Sequence, residues 1–558
     1  MKYIIIGAVA GGASTAARLR RLDEHAEIII FERRAYISYA NCGLPYYIGE
    51  VIKDRNKLFV QTAAAFNKRF NIDVRTLTEV IQIDPKNRIV TAFNQSTGEV
   101  YTENYDKLVL SPGAEPIRPP LPGINSEGIF TLRNVRDTDF IKNYIGQNNV
   151  KTAVVIGAGF IGLEMAENFH QIGLQVIVIE MSNQVLTPLD FPIAALAQQH
   201  IRSKGVQLLL NTTVTGFTND ADGLAVTLKS SEILKTDMVL LSIGVRPDTK
   251  LAEKAGLKIG SARGIAVNEF LQTSDPDIYA VGDAIEYKNP ISGKSMISYL
   301  AGPANKQGRI CANNIVLGNT NSYHGSINTA IVKVFDMTIA TAGMASKHLK
   351  AANIAHIVST NHAGSHASYF PGSRRMSIQI AFSPDNGRLL GAQIAGYEGV
   401  DKRIDILSSY IQMGGSIYDL AEFEHAYAPP YSSAKDPVNM AGFVAENILS
   451  DKLKIFYWDE IAGLKTDDLL IDVRNPDEFS AGCIPSAINI PLDEIRERLK
   501  EIPADKNIRI YCEAGLRGYL AQRILKQSGF DSVSNLSGGY VSWKACVTES
   551  ENEYHLIT

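Results

Sequence analysis

The first thirty residues predict a strand, a turn, a helix and a second strand from their pattern of apolar and small side chains. Residues 3–6 are apolar, residues 7–12 read GAVAGG, residues 13–22 are rich in alanine, and a second apolar run covers 28–31. Short apolar runs bounded by glycine are typical of buried parallel strands. In such a βαβ unit the glycine turn holds a dinucleotide pyrophosphate at the helix N-terminus, and an acid such as Glu32 accepts from a ribose hydroxyl.

The same pattern recurs at residues 152–180 and makes the nucleotide-binding interpretation more specific. An apolar run leads into GAGFIG at 157–162, a predicted helix over 163–172 and a second apolar run that ends at Glu180. The second turn has the complete G-x-G-x-x-G spacing, whereas Val9 replaces the middle glycine of the first. The residues expected to line the two turns are Gly7, Gly11, Gly12, Glu32, Gly157, Gly159, Gly162 and Glu180.

Composition narrows the class of protein without changing this interpretation. The chain has 558 residues, a length that predicts three or four domains, and 45% of them are hydrophobic. Its net charge of −4, with both signs interspersed, argues against binding to nucleic acid or to an anionic membrane. No apolar run reaches the roughly 18 residues of a membrane-spanning helix, and the five cysteines form no CxxC pair. We therefore expect a cytoplasmic protein with reduced cysteines and no metal site.

Three further motifs complete a set that resembles the pyridine nucleotide–disulfide oxidoreductase family over residues 1–446. They are SPGA at 111–114, SIG at 242–244 and TSDPDIYAVGD at 273–283. The resemblance implies an α/β fold with two Rossmann-like dinucleotide-binding domains and an α+β dimerisation domain, and hence a homodimer. It places FAD in the first unit, with Gly113 and Asp283 among its contacts, and NAD(P)H in the second. The implied bounds are 1–150 and 245–325 for the FAD domain, 151–244 for the NAD(P)H domain and 326–446 for the dimerisation domain.

A separate module is predicted at residues 455–548. The strings LLIDVR at 469–474 and GCIPSAINIP at 482–491 resemble the entrance motif of the rhodanese family, with Cys483 in place of the usual histidine. The resemblance implies a small α/β rhodanese domain. Cys512 follows an apolar run at 508–511, and four residues separate it from Arg517.

The length of the Cys512 loop favours sulfur transfer over phosphate chemistry. Related phosphatases have five residues between cysteine and arginine, and the shorter loop here leaves a smaller cradle. Backbone N–H groups in such a loop are expected to converge on the sulfur, and Arg517 to assist them in stabilising a persulfide. A helix is predicted over 519–527. Cys483 and Cys546 are expected to pack within the module, and Cys311 in the core of the larger part.

Cys42 is the candidate redox centre of the larger part. It lies in the string ANCGLPYY, and Tyr47 occupies the position at which typical family members carry a second cysteine, so no internal dithiol forms. Pro45 predicts a helix that begins just after Cys42, and a helix N-terminus lowers a thiol pKa. A single cysteine next to a flavin leaves two chemistries open: a sulfenic acid, as in NADH peroxidases and oxidases, or a mixed disulfide or persulfide with an external thiol.

The string around Cys42 resembles that of coenzyme A-disulfide reductases. In that group two tyrosines, matched here by Tyr369 and Tyr427, reach the redox cysteine, the latter from the partner subunit, where a phenol can donate to a departing thiolate. By the same resemblance the coenzyme A contacts are Ser14, Arg18, Arg21, Ser38, Asn41, Asn305 and Lys435. One basic position of the family is Phe70 here.

The sequence thus predicts a reductase of small thiol, disulfide or persulfide substrates that uses FAD, NAD(P)H and coenzyme A. Glu180 favours NADH over NADPH because a carboxylate there binds ribose hydroxyls and repels a 2′-phosphate. Disulfide and persulfide reduction are equally compatible with Cys42. An NADH peroxidase or oxidase is the alternative enzyme, and a redox-sensing or scaffold flavoprotein is the non-enzymatic one.

Overall fold

Parallel sheets built around the two glycine turns organise the N-terminal part of the chain. The computed structural model describes residues 1–220 and 223–551, which divide into two units. The first unit comprises Met1–Ile179 and Thr212–Asn328, and the second comprises Glu180–Asn211 and the chain from Thr329 onward.

The first sheet of unit one is parallel throughout and carries the N-terminal glycine turn. Its strands, in order, are Ile278–Ala280, Lys107–Leu110, Lys2–Ile6, Glu27–Phe31 and Asp73–Arg75. The helices Ala10–Leu22 and Ala301–Leu317 pack together, with Gly308 close to the backbone of Gly11. Because the strands are buried on both faces, their isoleucine-rich sequences show no polar alternation.

The second parallel sheet of unit one carries the other turn. Its strands within the unit, in order, are Gln175–Ile179, Thr152–Ile156, Met238–Leu241 and Ile129–Thr131, and its helices are Phe160–Gln171 and Val135–Gln147. Antiparallel strands surround the two sheets: Thr78–Asp84, Ile89–Asn94 and Val100–Asn104; Val214–Asp220, Gly223–Leu228 and Ile233–Thr236; and Ala114–Pro116 with Val245–Pro247. A smaller sheet consists of Ile265–Ala266, Ile285–Lys288 and Ser295–Met296, and the short helices are Leu44–Ile48, Ala63–Phe70 and Lys250–Lys254.

An antiparallel five-stranded sheet forms the larger part of unit two. Its strands, in order, are Ala330–Val334, Met337–Gly343, Leu389–Gly396, Arg375–Phe382 and Ile357–Gly364. The helices of this part are Phe191–Ser203, Ser346–Ala351, Val400–Met413, Ile417–Glu422 and Pro437–Leu449, and the strand Gln207–Leu209 belongs to the same unit.

The C-terminal module is a parallel α/β layer within the same unit. Its strands, in order, are Ile455–Phe456, Val533–Leu536, Asn507–Tyr511, Asp468–Asp472 and Ile488–Asn489. Its helices are Pro476–Ser480, Leu516–Gln527 and Gly539–Glu551. The Cys512 loop follows the central strand, at the carboxyl edge where parallel sheets place their sites.

Candidate redox and sulfur-transfer sites

The first glycine turn fits the pyrophosphate of a dinucleotide. Helix Ala10–Leu22 begins without a side-chain cap and without an acidic residue in its first turn, so its free N–H groups favour an anion. A Cβ at Gly12 would lie 1.9 Å from the carbonyl oxygen of Gly7, and only glycine lets the helix approach the strand so closely.

Glu32 lies behind this turn with 6% of its surface exposed. One carboxylate oxygen accepts from the Ala8 N–H at 3.0 Å and the other from the Arg34 N–H at 2.9 Å. Burial raises the pKa of the carboxyl, and these two bonds oppose the rise. The side chain therefore holds the turn in place as well as standing at the strand end predicted for a ribose contact.

The second turn repeats the first. Helix Phe160–Gln171 begins at Gly159 without a side-chain cap, and a Cβ at Gly162 would lie 1.9 Å from the Gly157 carbonyl oxygen. No heavy atom lies within 4 Å of the Cβ position of Gly159, which leaves room for a ligand. In unit two, the Glu180 carboxylate accepts from the Ser182 N–H at 2.9 Å.

Arg133 joins two of the residues predicted to contact the first nucleotide. Its guanidinium lies 2.9 Å from the Asp283 carboxylate, and the same nitrogen lies 3.0 Å from the Cβ position of Gly113, whose φ is +77°. Arg133 belongs to no motif in the sequence, and only the fold brings it between these two positions.

Cys42 lies in the short 3₁₀ turn Asn41–Gly43, and helix Leu44–Ile48 follows with Pro45 in its first turn, as predicted. The predicted lowering of the thiol pKa is wrong for the chain itself. Surrounding protein desolvates the sulfur and raises its pKa although the residue is exposed, and the carboxylates of Glu164 and Asp283 add to the rise. Arg133 opposes it more weakly. The one-turn helix after Cys42 does not outweigh this desolvation and the two carboxylates.

Glu164 is the residue of this site that sequence analysis missed. Burial and the neighbouring Glu167 raise its pKa to about 7, and a hydrogen bond with Tyr46 opposes the rise. Burial and Glu164 raise the pKa of Tyr46 to about 12, so the phenol is neutral. Glu164 stands two residues after the last glycine of the GAGFIG turn, and that fixed spacing is the signal that could have identified it.

The predicted coenzyme A contacts fall into a hydroxyl–amide pair and an arginine cluster. The Ser14 hydroxyl bonds to Asn305, and the Arg18 Nε donates to Asn313 at 2.9 Å. Desolvation lowers the pKa of Arg18, as do the charges of Arg309 and Arg21. Sequence analysis missed Arg309, although Asn305, Arg309 and Asn313 recur every fourth residue on one helix face.

Asn41 and Ser38, two further predicted coenzyme A contacts, lie close to Cys42 in sequence. The Asn41 side-chain oxygen is buried and has no hydrogen-bond partner within the described residues. Ser38 has a φ of +43°, so it turns the chain before Cys42. Phe70, which replaces a basic residue of the family, packs its ring on Phe66 with 4.8 Å between centroids.

The two candidate phenols lie together in unit two. The Tyr369 and Tyr427 hydroxyls are 2.6 Å apart. Tyr369 has 74% of its surface exposed, and Tyr427 has 46%. The segment that carries Tyr427 is fixed by His425, which bonds to Ser433, and borders a cavity of about 480 Å³. Lys435 is exposed and lies next in sequence to Asp436, which forms a buried ion pair with Arg403.

Cys512 lies in a loop that is almost closed to solvent. Its residue is 1% exposed, and the Gly515 N–H donates to its Sγ at 3.1 Å. The following helix begins at Leu516, not at Tyr519 as predicted, because Gly515 adopts a φ of +114° and lets the helix start at once. Arg517 thus lies in the first turn.

Arg517 pairs with Glu478 and not with the sulfur. Its two terminal nitrogens lie 2.6 and 2.7 Å from the Glu478 carboxylate oxygens, a bidentate arrangement that fixes the guanidinium. The hydrogen bond with Glu478 raises the pKa of Arg517, and the charge of Cys512 adds to the rise. The predicted role of Arg517, to help stabilise a persulfide on Cys512, stays a prediction. Glu478 was missed because its role depends on a neighbouring helix, although it lies in the PDEF string at 476–479, between the two strings of the entrance motif.

The remaining cysteines are only partly as predicted. Cys311 is buried within helix Ala301–Leu317 as expected. Cys546 does not pack within the module alone: it contacts Ala195 and lies beside Phe191 and Trp458, because helix Gly539–Glu551 packs on Phe191–Ser203. Within the described residues no three acidic, histidine or cysteine side chains are grouped to hold a metal, and no helix is long and apolar enough to cross a membrane.

Comparison with known families matches three segments of the chain. Residues 1–308 match the pyridine nucleotide-disulphide oxidoreductase family, residues 329–437 match the dimerisation domain of that family, and residues 457–546 match the rhodanese-like domain.

Individual relatives cover most of the chain. The coenzyme A disulfide reductase of Staphylococcus aureus (strain JH9) is 37% identical over 446 residues, which are 80% of this chain and all of the relative. The crystal structure of reduced Bacillus anthracis CoADR-RHD superposes with a TM-score of 0.96 at 47% identity and covers 98% of both chains. The NAD-dependent persulfide reductase from A. fulgidus superposes with a TM-score of 0.91 at 38% identity and covers 97% of this chain and 100% of that one.

Proposed function

The chain belongs to the pyridine nucleotide-disulphide oxidoreductase family, and we propose that it reduces coenzyme A disulfide and coenzyme A persulfide at Cys42 with electrons from NADH. The observation that carries the proposal is a single cysteine, without a second one at Tyr47, in a chain that also groups Arg18, Arg21 and Arg309. A lone cysteine needs an external thiol partner, and an arginine cluster suits a substrate that carries phosphates.

The cofactors follow from the two turns. The first turn, with Glu32, Gly113 and Asp283, would hold FAD, and the second would hold NADH, each pyrophosphate on a helix N-terminus. When bound, FAD reduced by NADH supplies the electron pair that opens a disulfide on Cys42. Glu180 is followed by Met181 and Ser182, so no arginine is adjacent to bind a 2′-phosphate. NADH is therefore preferred to NADPH.

Cys42 acts as the sulfur nucleophile. Its thiolate attacks one sulfur of coenzyme A disulfide, the S–S bond breaks, and the first coenzyme A leaves as a thiolate. The mixed disulfide with Cys42 then takes up the electron pair, releases the second coenzyme A and regenerates the Cys42 thiolate. With coenzyme A persulfide, the Cys42 thiolate attacks the inner sulfur, which is bonded to carbon; the S–S bond breaks, hydrosulfide leaves, and the same mixed disulfide forms.

Tyr369 and Tyr427 would protonate the departing thiolates in a homodimer. Both lie in the segment that matches the family dimerisation domain, and both hydroxyls are exposed while bonded to each other. An exposed neutral phenol can donate a proton to a group presented by a second copy of the chain. The bounds predicted above for the FAD, NAD(P)H and dimerisation domains are proposed on the same basis.

Cys512 would carry sulfane sulfur. Its thiolate attacks the outer sulfur of a donor such as thiosulfate, sulfite leaves with the bonding electrons, and the persulfide formed is stabilised by the Gly515 N–H and by the fixed charge of Arg517. An acceptor thiol then takes the outer sulfur and returns Cys512 to the thiolate.

The proposal is tested by NADH oxidation with separate acceptors. The FAD-loaded enzyme should oxidise NADH rapidly with coenzyme A disulfide or persulfide and slowly with hydrogen peroxide or oxygen alone. Fast turnover with peroxide would instead favour a sulfenic acid on Cys42. Substitution Arg309→Ala should raise KM for coenzyme A disulfide but not for pantethine, which lacks the nucleotide.

A charge-matched control is available for that variant. Arg136 lies over the ring of Phe140, and both residues belong to helix Val135–Gln147, not to the helix of Arg309. Arg136→Ala should change neither KM. Equal effects of Arg309→Ala on both disulfides would contradict a nucleotide grip by the arginine cluster.

A further inference from the structure

The strand Ile357–Gly364 is an edge strand of the five-stranded sheet, and its free edge carries the C-terminal module. Alternate residues of an edge strand turn their backbone N–H groups out of the sheet, and Val358 and Thr360 are two such residues. The Thr360 N–H donates to the Ser537 hydroxyl at 3.2 Å, and the Val358 N–H donates to the Tyr457 hydroxyl at 3.3 Å. The module is therefore docked on the sheet through both its Tyr457 and its Ser537 segments.

His362 makes the most specific of these contacts. Its Nε2 lies 3.0 Å from the Gly538 carbonyl oxygen and 3.0 Å from the Ser542 hydroxyl, and its Nδ1 lies 2.8 Å from the hydroxyl of Ser377, its cross-strand partner. Because a carbonyl only accepts, Nε2 carries the proton, and Nδ1 accepts from Ser377. Burial, and then the nearby Arg375, lower the pKa of the imidazole to about 4, which is consistent with this neutral form.

The turn that His362 holds is bonded to the Cys512 loop. Gly538 and Gly539 have φ values of +75° and +57°, and directly after them the Tyr540 N–H donates to the Cys512 carbonyl at 2.8 Å. The Val541 N–H donates to the Glu513 carbonyl at 3.1 Å. A short chain of bonds thus runs from the imidazole through the glycine turn to the backbone of the sulfur-carrying loop.

A second contact reaches the same loop from the neighbouring strand. Arg375 pairs across the sheet with Gly364, and its guanidinium lies 3.5 Å from one carboxylate oxygen of Glu513. The guanidinium of Arg474, in the module, lies 3.5 Å from the other oxygen. Arg375 and Glu513 are therefore charged groups that face this junction beside His362, and the arginine disfavours a second positive charge there.

We propose that His362 is a positioning residue of the sulfur-transfer site, so that the five-stranded sheet forms part of the site at Cys512. Through Gly538 it holds the turn that fixes the Cys512 and Glu513 carbonyls and thereby aims the loop N–H groups at the sulfur. This inference rests on the proposed role of Cys512 in carrying sulfane sulfur.

Two amide variants separate the two bonds of the imidazole. In His362→Asn the amide occupies the place of Nδ1 and can bond to Ser377 but cannot reach Gly538. In His362→Gln the amide reaches the place of Nε2 and can donate to Gly538. The test measures sulfur transfer from thiosulfate to cyanide, and the persulfide on Cys512 by mass spectrometry, in the FAD-loaded full chain.

The expected result is a loss that follows the Gly538 bond. His362→Asn should lower kcat for sulfur transfer about fivefold to tenfold, the cost of one buried hydrogen bond, with little change in KM, and should shorten the lifetime of the Cys512 persulfide. His362→Gln should restore kcat to within about twofold. Coenzyme A disulfide reduction should be unchanged in both variants, and so should sulfur transfer in the control Asn361→Ala, whose side chain bonds to Ser359 on its own strand.

Three outcomes would overturn the inference. Wild-type kcat in His362→Asn, or equal losses in both amide variants, would leave the imidazole without a positioning role. A wild-type enzyme that transfers no sulfur, like Cys512→Ser, would contradict the proposed function of Cys512 itself and the inference with it. In that case only this half of the proposed function fails, because reduction at Cys42 is assayed separately.

Discussion

The two cysteines proposed to react, Cys42 and Cys512, occupy opposite kinds of environment. Cys42 is exposed at a short 3₁₀ turn, and burial by surrounding protein together with Glu164 and Asp283 raises the pKa of its thiol. Cys512 is almost wholly buried, and its sulfur accepts a hydrogen bond from its own loop beside an arginine fixed by Glu478. The Cys512 site is therefore built by the protein chain, whereas at Cys42 burial and two carboxylates disfavour the thiolate more than Arg133 favours it.

This difference indicates which groups each cysteine requires, in addition to the chain, in order to react. A thiol whose pKa the chain raises needs bound cofactor, substrate or partner groups to become a nucleophile at neutral pH. A sulfur already bonded by its loop needs only a donor. The predictions below test this contrast, in order of expected effect.

Replacement of Cys42 should have the largest effect. Cys42→Ser should lower coenzyme A disulfide reduction about a thousandfold or more, since the nucleophile is lost, and should leave sulfur transfer from thiosulfate unchanged. NADH oxidation and thiocyanate formation measure the two activities. Cys483→Ser, at a partly exposed cysteine, is the control and should affect neither. Retention of more than a few per cent of reduction by Cys42→Ser would show that the nucleophile is another group.

Replacement of Arg517 should have the second largest effect. Arg517→Ala should lower sulfur transfer about a hundredfold, because it removes a positive charge that interacts with the Cys512 sulfur. Glu478→Gln should cost about fivefold, because the guanidinium loses half of its bidentate support. Initial rates with thiosulfate and cyanide give both values. Arg523 lies on the same helix, so Arg523→Ala is the control, and its rate of sulfur transfer should match that of wild type. A loss as large as that of Arg517→Ala would mean that the helix, not the guanidinium, is responsible.

A smaller effect is expected at the phenols. Tyr427→Phe should slow release of coenzyme A thiol about tenfold, since Tyr369 remains as a donor, and should leave reduction of the flavin by NADH unchanged. Stopped-flow absorbance of the flavin and a thiol reagent follow the two steps. Tyr431→Phe, a neighbouring exposed tyrosine, serves as the matched control. Equal slowing of both steps would place Tyr427 outside proton transfer.

The smallest effect concerns stability at Glu164. Its pKa is raised from 4.5 to about 7, so the folded state binds its proton more tightly than the unfolded state does. The ionised carboxylate therefore destabilises the fold, and this cost develops between pH 4.5 and 7 and is complete above pH 7. Glu164→Gln should stabilise the protein by about 2–3 kcal/mol at pH 8 and by little at pH 4.5. Thermal melts at the two pH values measure the difference, with exposed Glu24→Gln as control; an equal gain at both would rule out an ionisation.

The sequence predicted the elements whose signals are local. The apolar runs at 3–6 and 28–31 lie within the strands Lys2–Ile6 and Glu27–Phe31, and both glycine turns open helices as expected. Turn glycines and apolar runs act within a few residues, so they are legible without the fold. The family and the rhodanese module were identified from motifs of the same local kind.

The partners of the site residues could not be predicted in this way. Arg133, Arg309 and Glu478 come from other elements than the residues they bond or influence, and only the packing of those elements brings them together. The error at Cys42 has the same origin: the helix after it was predicted correctly, but burial by surrounding protein, and then Glu164 from a helix far along the chain, raise the thiol pKa. Cys546 was misplaced because its helix packs outside the module.

The most direct test of two separate cysteine sites is the Cys512→Ser variant assayed with two kinds of acceptor. The variant should reduce coenzyme A disulfide and preformed coenzyme A persulfide at the wild-type rate. It should fail to release sulfide in an NADH-dependent reaction from thiosulfate, which only the module can open. Equal loss with both kinds of acceptor would mean that Cys512 belongs to one merged site with Cys42, and no loss with either would mean that the module plays no part; either result would contradict the account.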